Sequence, residues 1–88
     1  MTDEQVLRDA LTRRYVVEVE YGDGGSETIS GGLPIWGCLN FAKDSAVAWG
    51  QEYRDTFFIA TLEGVKIMKL EWRNDVQGYQ WSVVDADK

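Results

Sequence analysis

No histidine occurs in the 88 residues, cysteine occurs once, at Cys38, and proline once, at Pro34. The missing histidine removes the commonest general base, the commonest metal ligand and every Cys–His or Ser–His nucleophile pair. A lone cysteine cannot close an internal disulfide, which points to a reducing compartment, and it leaves a structural zinc without a ligand set. Cations are scarce too: nine Lys and Arg stand against fifteen Asp and Glu, for a net charge of −6. Non-specific nucleic-acid binding needs cations to neutralise phosphates, so no direct binding to nucleic acid is expected. No apolar run approaches the roughly 18 residues of a membrane span, and the charged N-terminus MTDEQVLRDA lacks the apolar stretch of a signal peptide. The expectation is a cytoplasmic protein with no membrane partner.

Aromatic residues are plentiful, with four Trp, four Tyr and three Phe. A chain this short buries only about 60–65% of the surface its unfolded form exposes, which makes for a thin core. Aromatic rings compensate, each removing about 150–250 Å² from water. Residues 1–88 therefore read as one small domain, with no room for separate catalytic and substrate halves.

The N-terminal segment carries helix punctuation. Thr2 and Gln5 have capping-box spacing, Asp3 and Glu4 fall in the first turn and Arg13 and Arg14 in the last, so a helix is expected over 3–13. Tyr15 to Tyr21 alternates as a strand, with Tyr15, Val17, Val19 and Tyr21 on one side and Val16, Glu18 and Glu20 on the other. Gly22-Asp23-Gly24-Gly25 is a turn signal, and the stretch from Glu27 to Ser30 is weak enough for an edge strand. Gly31 to Gly37, holding Pro34, reads as a loop or distorted edge.

A second helix is expected with Asn40 or Asp44 as its cap and Ala42, Ala46, Trp49 and Tyr53 as its stripe. Gly50 interrupts that stripe at a cost of about 1 kcal/mol, which suggests close approach to a sheet. Phe57 to Leu62 is apolar on both sides and should be a central strand. The next strand, Val65 to Arg73, changes parity, so a one-residue bulge is expected near Ile67 and Met68. A turn at Asp75 to Gly78 then pairs Trp72 with Trp81 and Leu70 with Val83. The fold class is α+β: an antiparallel sheet of four or five strands, two helices packed on one face, in the order α-β-β-α-β-β-β.

Chemistry-bearing groups are few. Cys38 has no histidine to activate it and reads as a small buried hydrophobe. No glycine run precedes a Lys-Ser/Thr or opens a helix in a nucleotide fingerprint, and Asp23 alone does not make a calcium loop. No cofactor and no metal are expected, and no pair of residues is placed for catalysis. Glu18 and Glu20 share a strand side, Glu27 is a candidate to join them across the hairpin, and Asp23 lies in the turn between. These carboxylates are either a solvated face or an acidic patch for a basic protein surface. Lys66, Lys69, Arg73 and Arg54 are candidates for a small positive stripe or a mixed solvated face. Trp36, in the Gly/Pro loop, is either a partner anchor or part of a lid in which Leu33, Ile35 and Trp36 fold back over the core.

In its fifteen acids, absent histidine, single Cys38, compact α+β pattern and bare aromatic at Trp36, the chain resembles the small acidic inhibitors that phages make against bacterial defence, the anti-CRISPR proteins among them. The resemblance lies in profile and carries over no site residue. It implies a non-catalytic protein that binds a basic, nucleic-acid-handling complex and blocks it. Glu18, Glu20, Asp23, Glu27 and Trp36 are the residues of this chain expected at such an interface. A bacterial immunity protein or antitoxin that neutralises a basic toxin domain is the second expectation, and self-association through an open sheet edge the third.

Overall fold

Alternation of apolar and polar residues puts five segments of the chain into one antiparallel sheet. The computed structural model describes residues 3–4 and 13–84. Its strands are β1 (Tyr15–Glu20), β2 (Ser26–Thr28), β3 (Thr56–Thr61), β4 (Lys66–Arg73) and β5 (Gly78–Val83), arranged β2-β1-β3-β4-β5. Between β2 and β3 runs the helix α1 (Ile35–Ser45), continued by a π-helical segment Ala46–Gly50 and a last α turn Gln51–Tyr53. The helix expected over 3–13 falls almost wholly outside the described residues, so one helix, not two, packs on the sheet among them. The class is α+β, and the described order is β-β-α-β-β-β.

The core is the single layer between α1 and the sheet. Val17 and Val19 of β1, Phe57 and Ile59 of β3 and Leu70 of β4 meet Cys38, Ala42 and Ala46 of the helical segment, all essentially inaccessible to water. Each set obeys the period of its element, two in the strands and about four in the helix. The apolar run Phe57-Phe-Ile-Ala is the middle strand, paired with β1 on one side and β4 on the other. The expected bulge is present: Ile59 stands opposite Met68 and Ala60 opposite Lys66, which leaves Ile67 as the extra residue. It lets Met68, Leu70 and Trp72 share the helix-facing side.

The two outer hairpins depart from expectation in different ways. In β4–β5 the turn is Asn74 to Gln77, one residue earlier than expected, so Trp72 faces Tyr79, Leu70 faces Trp81 and Met68 faces Val83. Gln77 takes the left-handed conformation (φ 53°), and Gly78 joins the strand. Moving the turn by one residue shifts the pairing by two, so every side chain keeps its face. In β1–β2 Tyr21 leaves the strand and the connection has five residues, Tyr21 to Gly25. Glu18 then pairs with Thr28 and Val19 with Glu27. A four-residue turn would have put Glu27 opposite Glu20; the extra residue reverses its face.

The helix also starts earlier than expected. Pro34 is the residue before its first turn (φ −62°, ψ 158°) and its carbonyl accepts the Cys38 N–H at 3.1 Å. Proline loses nothing there, since the first N–H groups of a helix have no partner within it. Asn40 and Asp44, the expected caps, are inside the helix. Trp36 accordingly sits in the first turn of α1, not in a loop. At the far end, a Cβ on Gly50 would lie 2.5 Å from Phe57 Cε1 and 2.6 Å from its Cζ. The close approach expected of Gly50 is present, and only glycine permits it.

Candidate functional site: acidic grooves at the first hairpin

From Tyr15 to Gly32 the chain has four acids, Glu18, Glu20, Asp23 and Glu27, and no Lys or Arg. The turn that joins β1 to β2 is folded by its own polar groups. Asp23 Oδ1 accepts the Gly25 N–H at 3.0 Å, Gly24 takes φ 101°, and the Gly24 N–H reaches Tyr21 O at 2.9 Å. Asp55, only 2% exposed, accepts the Gly22 N–H at 2.8 Å through Oδ1 and so docks this turn on the end of the helical segment. A Cβ on Gly22 would lie 2.6 Å from Tyr53 O, so the approach needs glycine.

On the sheet side away from α1, Glu18, Glu20, Ser26, Thr28, Phe58 and Lys66 line a shallow groove of about 280 Å³. Glu18 Oε2 is buried there without a hydrogen-bond partner, and Lys66 Nζ lies 4.6 Å from the centre of the Phe58 ring. Glu27 borders the same groove, as expected, but does not add its carboxylate to those of Glu18 and Glu20. Its register position opposite Val19 puts its side chain on the other face, where Glu27 Oε1 accepts the Tyr21 hydroxyl. That bond, with burial and the nearby charges of Glu27, Asp55 and Asp23, pushes the Tyr21 pKa up to about 12.

A larger groove of about 700 Å³ lies on the helix side. Its walls are Tyr21, Trp49 and Tyr53, and its acids are Asp23, Glu52 and Asp55. Tyr21 and Trp49 have ring centres 6.3 Å apart at 37°, and Trp49 meets Phe57 edge-on at 5.2 Å. Sequence periodicity places Trp49 and Tyr53 in the core, yet they are 38% and 69% exposed. The π-helical turn is the reason: its wider winding hands the sheet-facing position to Ala46 and then Gly50, and leaves Trp49 and Tyr53 on the flank. The only signal in the sequence was Gly50 itself. Of this set the sequence marks Asp23 alone as a candidate; nothing local marks Asp55 as buried or Glu52 as its neighbour.

Trp36 is 60% exposed on the opposite end of the helix, thirteen residues before Trp49 or about 20 Å along the axis. Leu33, not Trp36, folds back on the core, bridging to Tyr15 through Tyr15 N–H to Leu33 O at 2.8 Å and the reverse bond at 2.9 Å. Glu18 and Glu20 on the sheet and Trp36 on the helix therefore do not form one continuous surface. Cys38 is fully buried, and burial pushes its thiol pKa up.

The basic residues are separately engaged. Lys69 lies 3.5 Å from Glu71, Arg73 is bidentate on Asp75 at 3.0 and 3.2 Å, and Arg54 stacks on Trp72 at 5.4 Å. Arg54 and Trp72 belong to the helix side, so a stripe of Lys66, Lys69, Arg73 and Arg54 does not form. Among the described residues no group of three or more His, Cys, Asp or Glu is placed to hold a metal ion, and no helix is long and apolar enough to cross a membrane.

Fold and surface together define a small α+β domain with an acidic, aromatic-walled hairpin edge. No family model matches the chain, and neither a curated protein nor a solved structure matches it.

Proposed function

We propose that the chain is a non-catalytic binding protein that docks a basic protein surface through its first hairpin. The observation that carries this reading is the segregation of charge. Eighteen successive residues, 15–32, hold acids and no cation; Glu18, Glu20 and Glu27 border one groove beside Lys66, and Asp23 joins Glu52 and Asp55 in a second. Such an edge steers and orients a positively charged partner while repelling acidic ones. In the favoured form of the proposal the protein is phage-encoded and acts stoichiometrically in the host cytoplasm. Its target is a nucleic-acid-handling defence complex such as a CRISPR–Cas effector. Cys38, buried and with its thiol pKa raised, supports a role without nucleophilic chemistry.

Affinity capture from a bacterial lysate, with identification of the bound chains, tests the proposal. A basic subunit of a nucleic-acid-handling complex, released by added salt, is the expected result. Recovery of a basic toxin domain in its place would assign the protein as an immunity protein or antitoxin. Release of nothing basic, or turnover of a substrate by the purified chain, would overturn the reading.

A further inference from the structure

Among the described residues, the groove of Tyr21, Trp49 and Tyr53 holds three carboxylates and no cation. We propose that it is an arginine-binding site, which takes one arginine side chain from an extended basic segment of the partner. This rests on the protein-binding reading above and names its point of attachment.

The molecule already contains the same recognition within its own chain. Arg54 lies 5.4 Å over the Trp72 ring, and its NH1 donates to Asn74 Oδ1 at 3.1 Å. A guanidinium thus lies over an indole and bonds the oxygen that also accepts that indole's N–H. The groove presents the two halves of that arrangement without the guanidinium: the partly exposed indole of Trp49 and the Asp55 carboxylate. Asp55 is buried, and its Oδ1 accepts the Gly22 N–H. Asp55 is therefore an anchored acceptor, and a guanidinium arriving from outside adds a charge-assisted hydrogen bond to it.

Arginine fits better than lysine for three reasons. Its planar head stacks on Trp and Tyr faces, its five N–H donors spread in the plane toward several acceptors, and its weaker hydration eases entry beside a buried carboxylate. Tyr21 is fixed as a wall because its hydroxyl donates to Glu27, so little ordering is left to binding. Glu52 and Asp23 at the rim add charge that attracts the segment before it seats. The inclined rings, 6.3 Å apart, leave too little space for a head sandwiched between them, so the guanidinium lies on one ring with its edge toward Asp55.

The test uses the full chain and the peptide acetyl-Gly-Arg-Gly-amide, with lysine and citrulline versions, followed by NMR of the Trp49 indole and Gly22 amide signals. The arginine peptide should move both signals and bind at least threefold more tightly than the lysine peptide, and citrulline should leave them unmoved. Tyr53→Ser combined with Glu52→Gln, both at exposed positions, should weaken the arginine peptide about three- to tenfold without changing the melting temperature. Equal response to arginine and citrulline, or shifts confined to other residues, would overturn the site. The same double variant carried through the affinity capture separates the two proposals. Undiminished affinity for the identified basic partner in a variant whose peptide binding is weakened as expected would overturn the groove and leave the function standing. Peptide binding by a wild-type chain that captures no basic protein would overturn the function and leave the groove standing.

Discussion

The two hairpins at the edges of the sheet are built to different ends. The second, β4–β5, is long and aromatic: Trp72 faces Tyr79 with rings edge-on at 5.7 Å, Trp81 faces the buried Leu70, and its charges pair locally through Lys69–Glu71 and Arg73–Asp75. The first, β1–β2, has a three-residue outer strand exposed throughout and four acids with no Lys or Arg in the hairpin itself, Lys66 of β4 being the cation at their groove. Its stability comes from elsewhere: β1 is clamped by β3, and the turn is held by Asp55. One edge satisfies itself and the other leaves carboxylates facing outward. A small domain can carry an unsatisfied surface only where a rigid neighbour supports it.

The largest effect expected in a test of that contrast is at the shared core. Phe57→Ala removes the ring that touches Trp49, Tyr79 and Gly50, and should cost about 3–5 kcal/mol in chemical denaturation. Gly50→Ala should cost about 1–3 kcal/mol, because its methyl meets the Phe57 ring at 2.5 Å. Next comes the clamp on the acidic edge. Asp55→Ala strands the Gly22 N–H and should cost about 1–3 kcal/mol, with amide exchange rising first at Gly22 to Gly25 and little at Gly78 to Val83. Equal exchange gains in both hairpins would erase the distinction between them.

Alkali probes both edges at once. The Tyr21 hydroxyl, bonded to Glu27, and the Tyr79 hydroxyl, partly buried and 2.9 Å from Asp55 O, both have pKa values pushed up from 10.0 to about 12. Folding therefore favours their protonated forms. The stability they contribute is intact below pH 10 and is lost as pH rises through 12. Melting temperatures should fall across that window, and Tyr21→Phe with Tyr79→Phe should flatten the fall. The smallest stability effect belongs to Trp36→Ala, within about 0.5 kcal/mol, because the ring is 60% exposed. Partner affinity, measured by calorimetry, should stay constant, because the first hairpin lies at the other end of the helix; a clear loss would bring Trp36 into the interface.

Where a local period sets the outcome, the sequence was readable. The faces of β1, the central place of β3, the bulge at Ile67 and the crowding at Gly50 all follow from alternation, or from its interruption. The hairpins show the limit. Displacing a turn within β4–β5 moved the pairing by two and changed no face, whereas one further residue in the β1–β2 connection turned Glu27 from the Glu18 side to the Tyr21 side. Turn length depends on which of several glycines takes positive φ, and for β1–β2 that depends on Asp55, thirty-three residues away from Gly22. The helix start at Pro34 had a local signal, a proline whose missing N–H costs nothing there, but the neighbouring glycines obscured it.

Composition and period alone determined an acidic chain without histidine, an α+β class, a strand with two apolar faces and a kink in its neighbour. They suffice because charge is additive and because side chains in a strand must alternate. Tertiary structure alone decided that a π-helical turn seats Gly50 against Phe57 and turns Trp49 and Tyr53 outward, and that Asp55 lies buried beneath a glycine turn. Those arrangements arise from packing between segments far apart in the chain, where the lowest free energy belongs to the assembled surfaces and not to either segment by itself.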